Sequence, residues 1–281
     1  MPGPQDREEV RLPRGVLVAF EGIDGAGKTT QARLLADRLQ VAGLRVVTTK
    51  EPTNGPHGMR LRASAASGRL PAEEELDLFL ADRRQHVETV IGPGLAAGAV
   101  VIVDRYYFST AAYQGARGFN PDAIIAVNET FAPVPDLLVL LDIPVDEAVR
   151  RIKSRENGNG NLFEDRTSLE GCAAIFSRLD RPYLLRADGT ASRDAIHERV
   201  VRRMDEGPLF RAMCFKSYLA ACEPEYCSYR IQRQCDYPLL GRLRAPTPVS
   251  ASVLNGIVED SSLSHDEKLT RVLEALRTPR R

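Results

Sequence analysis

The sequence predicts an α/β fold, a five-stranded parallel sheet flanked by helices in three layers, with a C-terminal helical extension. Three observations predict it. Short apolar runs recur along the first two thirds of the chain, and VLVAF, AVVIV and LLVLL are too uniformly apolar to be half-exposed strands. Segments with helical spacing alternate with them. The alternation stops at Gly207-Pro208.

Val16 to Phe20 (VLVAF) reads as the first buried strand, closing on Glu21 and Gly22. Lys28 to Val41 follows as a helix, with leucines at 34, 35 and 39 and Gly43 as its stop. Arg45 to Thr49 is the second strand. Glu73 to Ile91 is a long helix, with Leu76, Phe79, Leu80, Val87 and Val90 on or near one stripe. Ala99 to Val103 and Leu137 to Leu141 are the third and fourth strands, the latter followed by a helix from Val145. Tyr183 to Arg186 is a weaker fifth strand. Ser192 then caps a helix running to Met204.

These boundaries divide the chain into a loose tail over 1–14, an α/β domain over 15–206 and an extension over 207–281. In the extension, Ser264 to Glu267 has capping-box spacing, and Leu269, Val272, Leu273 and Leu276 form a helical stripe. Cys214, Cys222, Cys227 and Cys235 are separated by seven, four and seven residues. Two readings stand for them: a zinc or iron–sulfur site, or reduced thiols packed as small apolar groups. The fifth cysteine is Cys172.

Apolar residues make up 43% of the 281 and charged residues 27%, the balance of an ordinary globular protein. Basic and acidic residues number 38 each, which argues against a general nucleic-acid or anionic-membrane binder. The polar N-terminus and the lack of a bilayer-length apolar run predict a cytoplasmic protein.

Gly22-Ile23-Asp24-Gly25-Ala26-Gly27-Lys28-Thr29 fits G-x-x-x-x-G-K-S/T, between a predicted strand and a predicted helix. Glycines let the loop curl until its N–H groups converge, and the new helix aims its positive end at the same point. Lys28 adds a charge for the terminal phosphates of ATP, and the Thr29 hydroxyl can ligate Mg2+. Residues 22–30, through Thr30, therefore form a triphosphate cradle of the P-loop NTPase type. The loop alone leaves motor, GTPase, ATPase and small-molecule kinase readings open. No N-K-x-D guanine-reading motif is present.

Four segments, EGIDGAGKTTQ, KEPTNGP, LFLADRRQHVETVI and VIVDRYYFSTAAYQG, together resemble the thymidylate kinase family in order and spacing, over roughly residues 15 to 205. The resemblance implies phosphoryl transfer from ATP to dTMP. It implies that Asp104 holds Mg2+ and Arg105 grips the acceptor phosphate, both at the end of the third strand, where open parallel sheets bind ligands. It gives Phe79 the role of stacking on the pyrimidine, and Arg83, four residues on, that of bonding its edge. Thr110 and Gln114 would lie near the base and Tyr113 against the sugar. Asp24 would bind the 3′-hydroxyl and orient the phosphate-gripping arginine. Glu51 and Pro52 would lie beneath the acceptor. A homodimer is also implied.

A lid is expected over 151–164, with Arg155 the first choice of catalytic cation, Arg151 or Lys153 the second, and Glu164 the lid glutamate. Here the chain departs from a common family pattern. Asn161-Leu162 stands where many members have Asp-Arg, and Ala26 stands where another branch has arginine. Two other functions remain open at this point: a kinase of a different small phosphate such as dUMP, and a nucleotide-sensing module without catalysis.

Overall fold

A computed structural model describes residues 11–12, 14–155, 166–209, 212 and 262. Its five strands are β1 (Val16–Glu21), β2 (Val46–Lys50), β3 (Val100–Asp104), β4 (Leu137–Asp142) and β5 (Leu184–Asp188), all parallel, in the order β2-β3-β1-β4-β5. β1 lies at the centre and every one of its residues is buried. The apolarity of its first five residues follows from that position, because a central strand in a parallel sheet has a packed layer on each side. All five expected strands are present, each within about two residues of its expected limits, the usual scatter of such boundaries.

The helices are α1 (Lys28–Val41), α2 (Pro56–Ser67), α3 (Ala72–His86), α4 (Gly92–Ala96), α5 (Tyr107–Gly115), α6 (Pro121–Glu129), α7 (Val145–Arg155), α8 (Arg166–Ser177) and α9 (Arg193–Met204). A π-helical turn, Val87–Ile91, joins α3 to α4 without a break, so the expected helix over 73–91 is one continuous rod. The flanking helices pack in two groups, α1 with α9, and α5 with α3, α6 and α8. The sequence reading had not delimited α2, α6 or α8.

Local signals explain the ends of these helices. At the end of α1, Gly43 sits at φ 86, and Leu44 donates its N–H back to the Leu39 carbonyl at 3.0 Å. That is a left-handed glycine stop, which a side chain would strain. Asn120 caps α6 by accepting from Asp122 and Ala123. Ser192 caps α9 as expected, its hydroxyl accepting from the Ala195 N–H at 3.2 Å.

A second π-helical turn, Asp205–Leu209, continues directly from α9, and Leu209 and Ala212 belong to the core of this domain. The tail over 1–10, the four extension cysteines and the stripe from Leu269 to Leu276 lie outside the described residues. Cys172 is a free thiol buried on α8, and burial pushes its pKa up to about 12. No helix among the described residues is long and apolar enough to cross a membrane.

Removing the α9 cap should lower stability measurably. Ser192→Ala is expected to cost about 1 kcal/mol, read as a lower urea midpoint with an unchanged slope.

Candidate active site

The site forms where β1, β2 and β3 end side by side. Register sets Phe20 opposite Asp104 and Lys50 opposite Asp104, so the phosphate loop, the β2 end and the β3 end emerge together. Residue 105 then turns sharply. Arg105 has φ 70, an unusual left-handed conformation for a residue with a side chain, and its N–H donates to the Phe20 carbonyl at 3.0 Å.

In the loop itself, Gly25 has φ 82, and a Cβ there would meet the Ala148 carbonyl of α7 at 2.7 Å. Glycine is required by conformation and by close approach. Lys28 is buried and its Nζ donates to the Gly22 and Ile23 carbonyls at 2.9 and 2.8 Å. The ammonium is thus held over the loop rather than free to swing. The Thr29 hydroxyl donates to Asp104 Oδ2. Asp104 Oδ1 is buried with no hydrogen-bond partner among the described residues. A hydroxyl beside a carboxylate with a spare buried oxygen is a hard, all-oxygen donor set.

Asp24 ties the loop to the β3 turn. One of its oxygens pairs with Arg105, and the other accepts from the Tyr113 hydroxyl at 2.7 Å. Lys28 Nζ lies 3.8 Å from the same carboxylate. Arg105 also lies over the Tyr113 ring, 5.4 Å from its centroid. The expected link between Asp24 and the arginine at 105 is therefore present in the geometry.

Beside this cluster is a cavity of about 270 Å³. Asp24, Glu51, Pro52, Phe79, Arg83, Arg105, Thr110 and Tyr113, all singled out from the sequence, line it. Phe79 and Arg83 face it together, as their i, i+4 spacing requires. Arg83 is almost fully buried. Its Nε and Nη2 donate to Glu51 Oε2, Nη2 also donates to Thr110, and Nη1 donates to Asn128 Oδ1 at 2.7 Å. Among the described residues four of the five guanidinium N–H donors are engaged, the fifth being on Nη1. Gln114 is not among the lining residues. Its amide is buried nearby on α5, and neither end has a partner among the described residues.

Arg62 and Arg69 also line the cavity, and sequence reasoning missed both. Arg62 reaches back to the Pro52 carbonyl at 2.6 Å and to Asn54. Arg69 approaches Glu75, a buried carboxylate that also pairs with Arg117 from the end of α5. Arg62 falls in α2, which the sequence reading had not delimited. A larger cleft of about 690 Å³ borders the other side of Asp104 and Thr29, lined in part by Thr49, Lys50 and His86.

A third missed residue is Glu21, at the end of β1. It is fully buried and accepts from the Tyr106 N–H at 2.7 Å and from the Ser109 N–H at 3.1 Å and hydroxyl. It therefore clamps the first turn of α5, directly after Arg105. Tyr107 and Phe108 are buried packing residues. The only sequence signal for Glu21 was an acid at the end of an otherwise apolar run.

Of the lid residues, Arg151 is paired with Glu147 and donates to the Gly189 carbonyl at 3.0 Å. Lys153 is exposed on α7, and Arg155 is the last residue of that helix. Glu164 lies outside the described residues.

Glu21 makes stability depend on pH. Burial pushes its carboxyl up to about 7, against the pull of hydrogen bonds from Ser109 and Tyr106 and the nearby Arg105 and Lys28 charges. In the unfolded chain it titrates near 4.5. The folded state thus favours the protonated form, and its contribution is full below pH 4.5 and lost as pH rises through 7. Urea unfolding at pH 4.5 to 8 should show the unaltered chain losing stability relative to Glu21→Gln, by about 3 kcal/mol at most, with the difference level above pH 8.

Comparison with known proteins agrees with this geometry. The family model described as thymidylate kinase matches residues 20–200. A thymidylate kinase of Xanthomonas campestris pv. campestris (strain B100) is 54% identical over 184 residues, covering 66% of this chain and 80% of that protein. One from Akkermansia muciniphila is 49% identical over 187 residues, covering 66% and 90%. With its phosphate loop, its β3 turn and the cavity beside them all inside the matched region, the chain belongs to the thymidylate kinase family.

Proposed function

We propose that the chain transfers the terminal phosphoryl group of ATP to dTMP, giving dTDP and ADP. The observation that carries this is the Asp24 bridge. One carboxylate joins the phosphate loop to Arg105 and Tyr113, so the donor cradle and the acceptor cavity share a wall.

Each residue then has a task. Lys28, the loop N–H groups and the α1 N-terminus receive the phosphate chain, and Lys28 exchanges its Gly22 and Ile23 carbonyl partners for phosphate oxygens. Thr29 and Asp104 would hold Mg2+, which fits the spare buried oxygen of Asp104. The ion, when bound, supplies neutralising charge to the phosphates.

Phe79 stacks on the pyrimidine, and the remaining Nη1 hydrogen of Arg83 meets its edge. Glu51 and Pro52 form the floor below, with Thr110 and Gln114 near the base. Tyr113 and Asp24 take the sugar side. Arg105 grips the acceptor phosphate by exchanging part of its Asp24 contact for phosphate oxygens. That phosphate is already ionised at neutral pH, so no general base is needed. A cation from the lid, Arg155 before Arg151 or Lys153, completes charge neutralisation; Arg151's existing bonds to Glu147 and Gly189 favour Arg155. The proposal includes a homodimer, to be read by light scattering on the purified chain, and a cytoplasmic setting.

A coupled ADP-release assay over a panel of nucleoside monophosphates tests the reading. Turnover should be fastest with dTMP; turnover with another acceptor alone, or ATP binding without transfer, would refute it. Lys28→Ala should lower kcat by roughly 100-fold or more. Phe79→Ala should raise KM for dTMP about tenfold, the loss of roughly 1–3 kcal/mol of stacking, with kcat much less changed.

A further inference from the structure

We propose that His86 is a positioning residue for acceptor recognition: by occupying one oxygen of Glu51 it keeps the guanidinium of Arg83 turned toward the acceptor cavity. The inference rests on the functional reading above.

The geometry is specific. A guanidinium facing a carboxylate ordinarily forms a fork, two N–H donors on two different oxygens. Here Arg83 places both Nε and Nη2 on the same oxygen, Glu51 Oε2. The other oxygen, Oε1, is taken by His86 Nδ1 at 2.9 Å. An ionised carboxylate can only accept, so Nδ1 must carry the proton and donate. His86 Nε2 lies 2.7 Å from the Thr49 hydroxyl, which holds the ring from behind. In the neutral ring Nε2 is the acceptor and Thr49 the donor.

His86 and Arg83 stand three apart on α3, so both reach the same carboxylate from one helix face. Glu51 is fixed in turn by its own N–H, which donates to the Asp104 carbonyl at 3.1 Å. Every polar atom of His86 is therefore spent on Glu51 and Thr49, and the ring is buried. The acceptor cavity includes Glu51 and Arg83 but not His86.

Removing the imidazole leaves Oε1 buried and unsatisfied, a costly state for a carboxylate. The nearest remedy is rotation of the Glu51 carboxylate to offer Arg83 both oxygens. The fork would then form, and the guanidinium would tilt away from Asn128 and the cavity. The Nη1 edge left for the acceptor base would no longer be aimed at it.

The test compares His86→Phe, His86→Asn and Thr49→Val with the unaltered chain, using initial rates with dTMP and with dCMP, whose base edge presents an amino group where thymine presents a carbonyl. His86→Phe should raise KM for dTMP about tenfold, leave KM for ATP unchanged, reduce kcat less than threefold, and lower the preference for dTMP over dCMP. His86→Asn keeps an N–H donor at the δ position and should recover most of the affinity. Thr49→Val is a mild change and should move KM for dTMP about twofold in the same direction, which keeps the test decisive if His86→Phe folds poorly. Equal losses for dTMP and ATP, or a His86→Asn variant no better than His86→Phe, would overturn the assignment. Absence of dTMP turnover in the unaltered chain would overturn the functional reading, and this inference with it.

Discussion

Parallel pairing of β1 with β3 is the constraint from which the site follows. It sets Phe20 against Asp104 and lets Arg105 bond back to Phe20 across the strand ends. The phosphate loop begins one residue after β1, and the β3 turn begins one residue after β3. Two segments about 80 residues apart therefore start from adjacent points, pointing the same way. Asp24 can reach Arg105, and Thr29 can reach Asp104, only because of that shared origin.

Carboxylates then stiffen what the sheet brings together. Glu21 holds the first turn of α5, Asp24 holds Arg105 and Tyr113, and Glu51 holds Arg83 and His86. Glu75 joins Arg69 and Arg117 across the cavity rim. An isolated cation in such surroundings would carry a large desolvation penalty, which Glu51 and Glu75 offset for their arginine partners. The same pairs keep the guanidinium groups in fixed orientations before any phosphate arrives. Pre-placed charge is what phosphoryl transfer chiefly needs, because the reacting groups are already ionised and repel one another.

The two kinds of arginine differ in how they are held. Arg105 is partly exposed and shares its carboxylate with a tyrosine and a lysine. Arg83 is almost wholly buried and has four donors committed, so its guanidinium has little freedom to turn.

Strands β1, β3 and β4, helix α1, the phosphate loop and the Ser192 cap were legible because their signals are local. Apolar runs, glycine spacing and a capping hydroxyl act on neighbours within a few residues. Phe79, Arg83, Asp104 and Arg105 were singled out through family likeness, and the fold places the first, second and fourth on one cavity and Asp104 on the neighbouring cleft. Strand order, the contacts of Glu21, Arg62, Arg69 and His86, and the one-oxygen grip of Arg83 on Glu51 appear only in three dimensions. Their partners lie tens of residues away: Glu21 meets Ser109 at a separation of 88, and Arg83 meets Glu51 at 32. A single carboxylate in an apolar run looks the same whether it faces water or clamps a helix. Which of the two it does is decided by what the sheet brings opposite it.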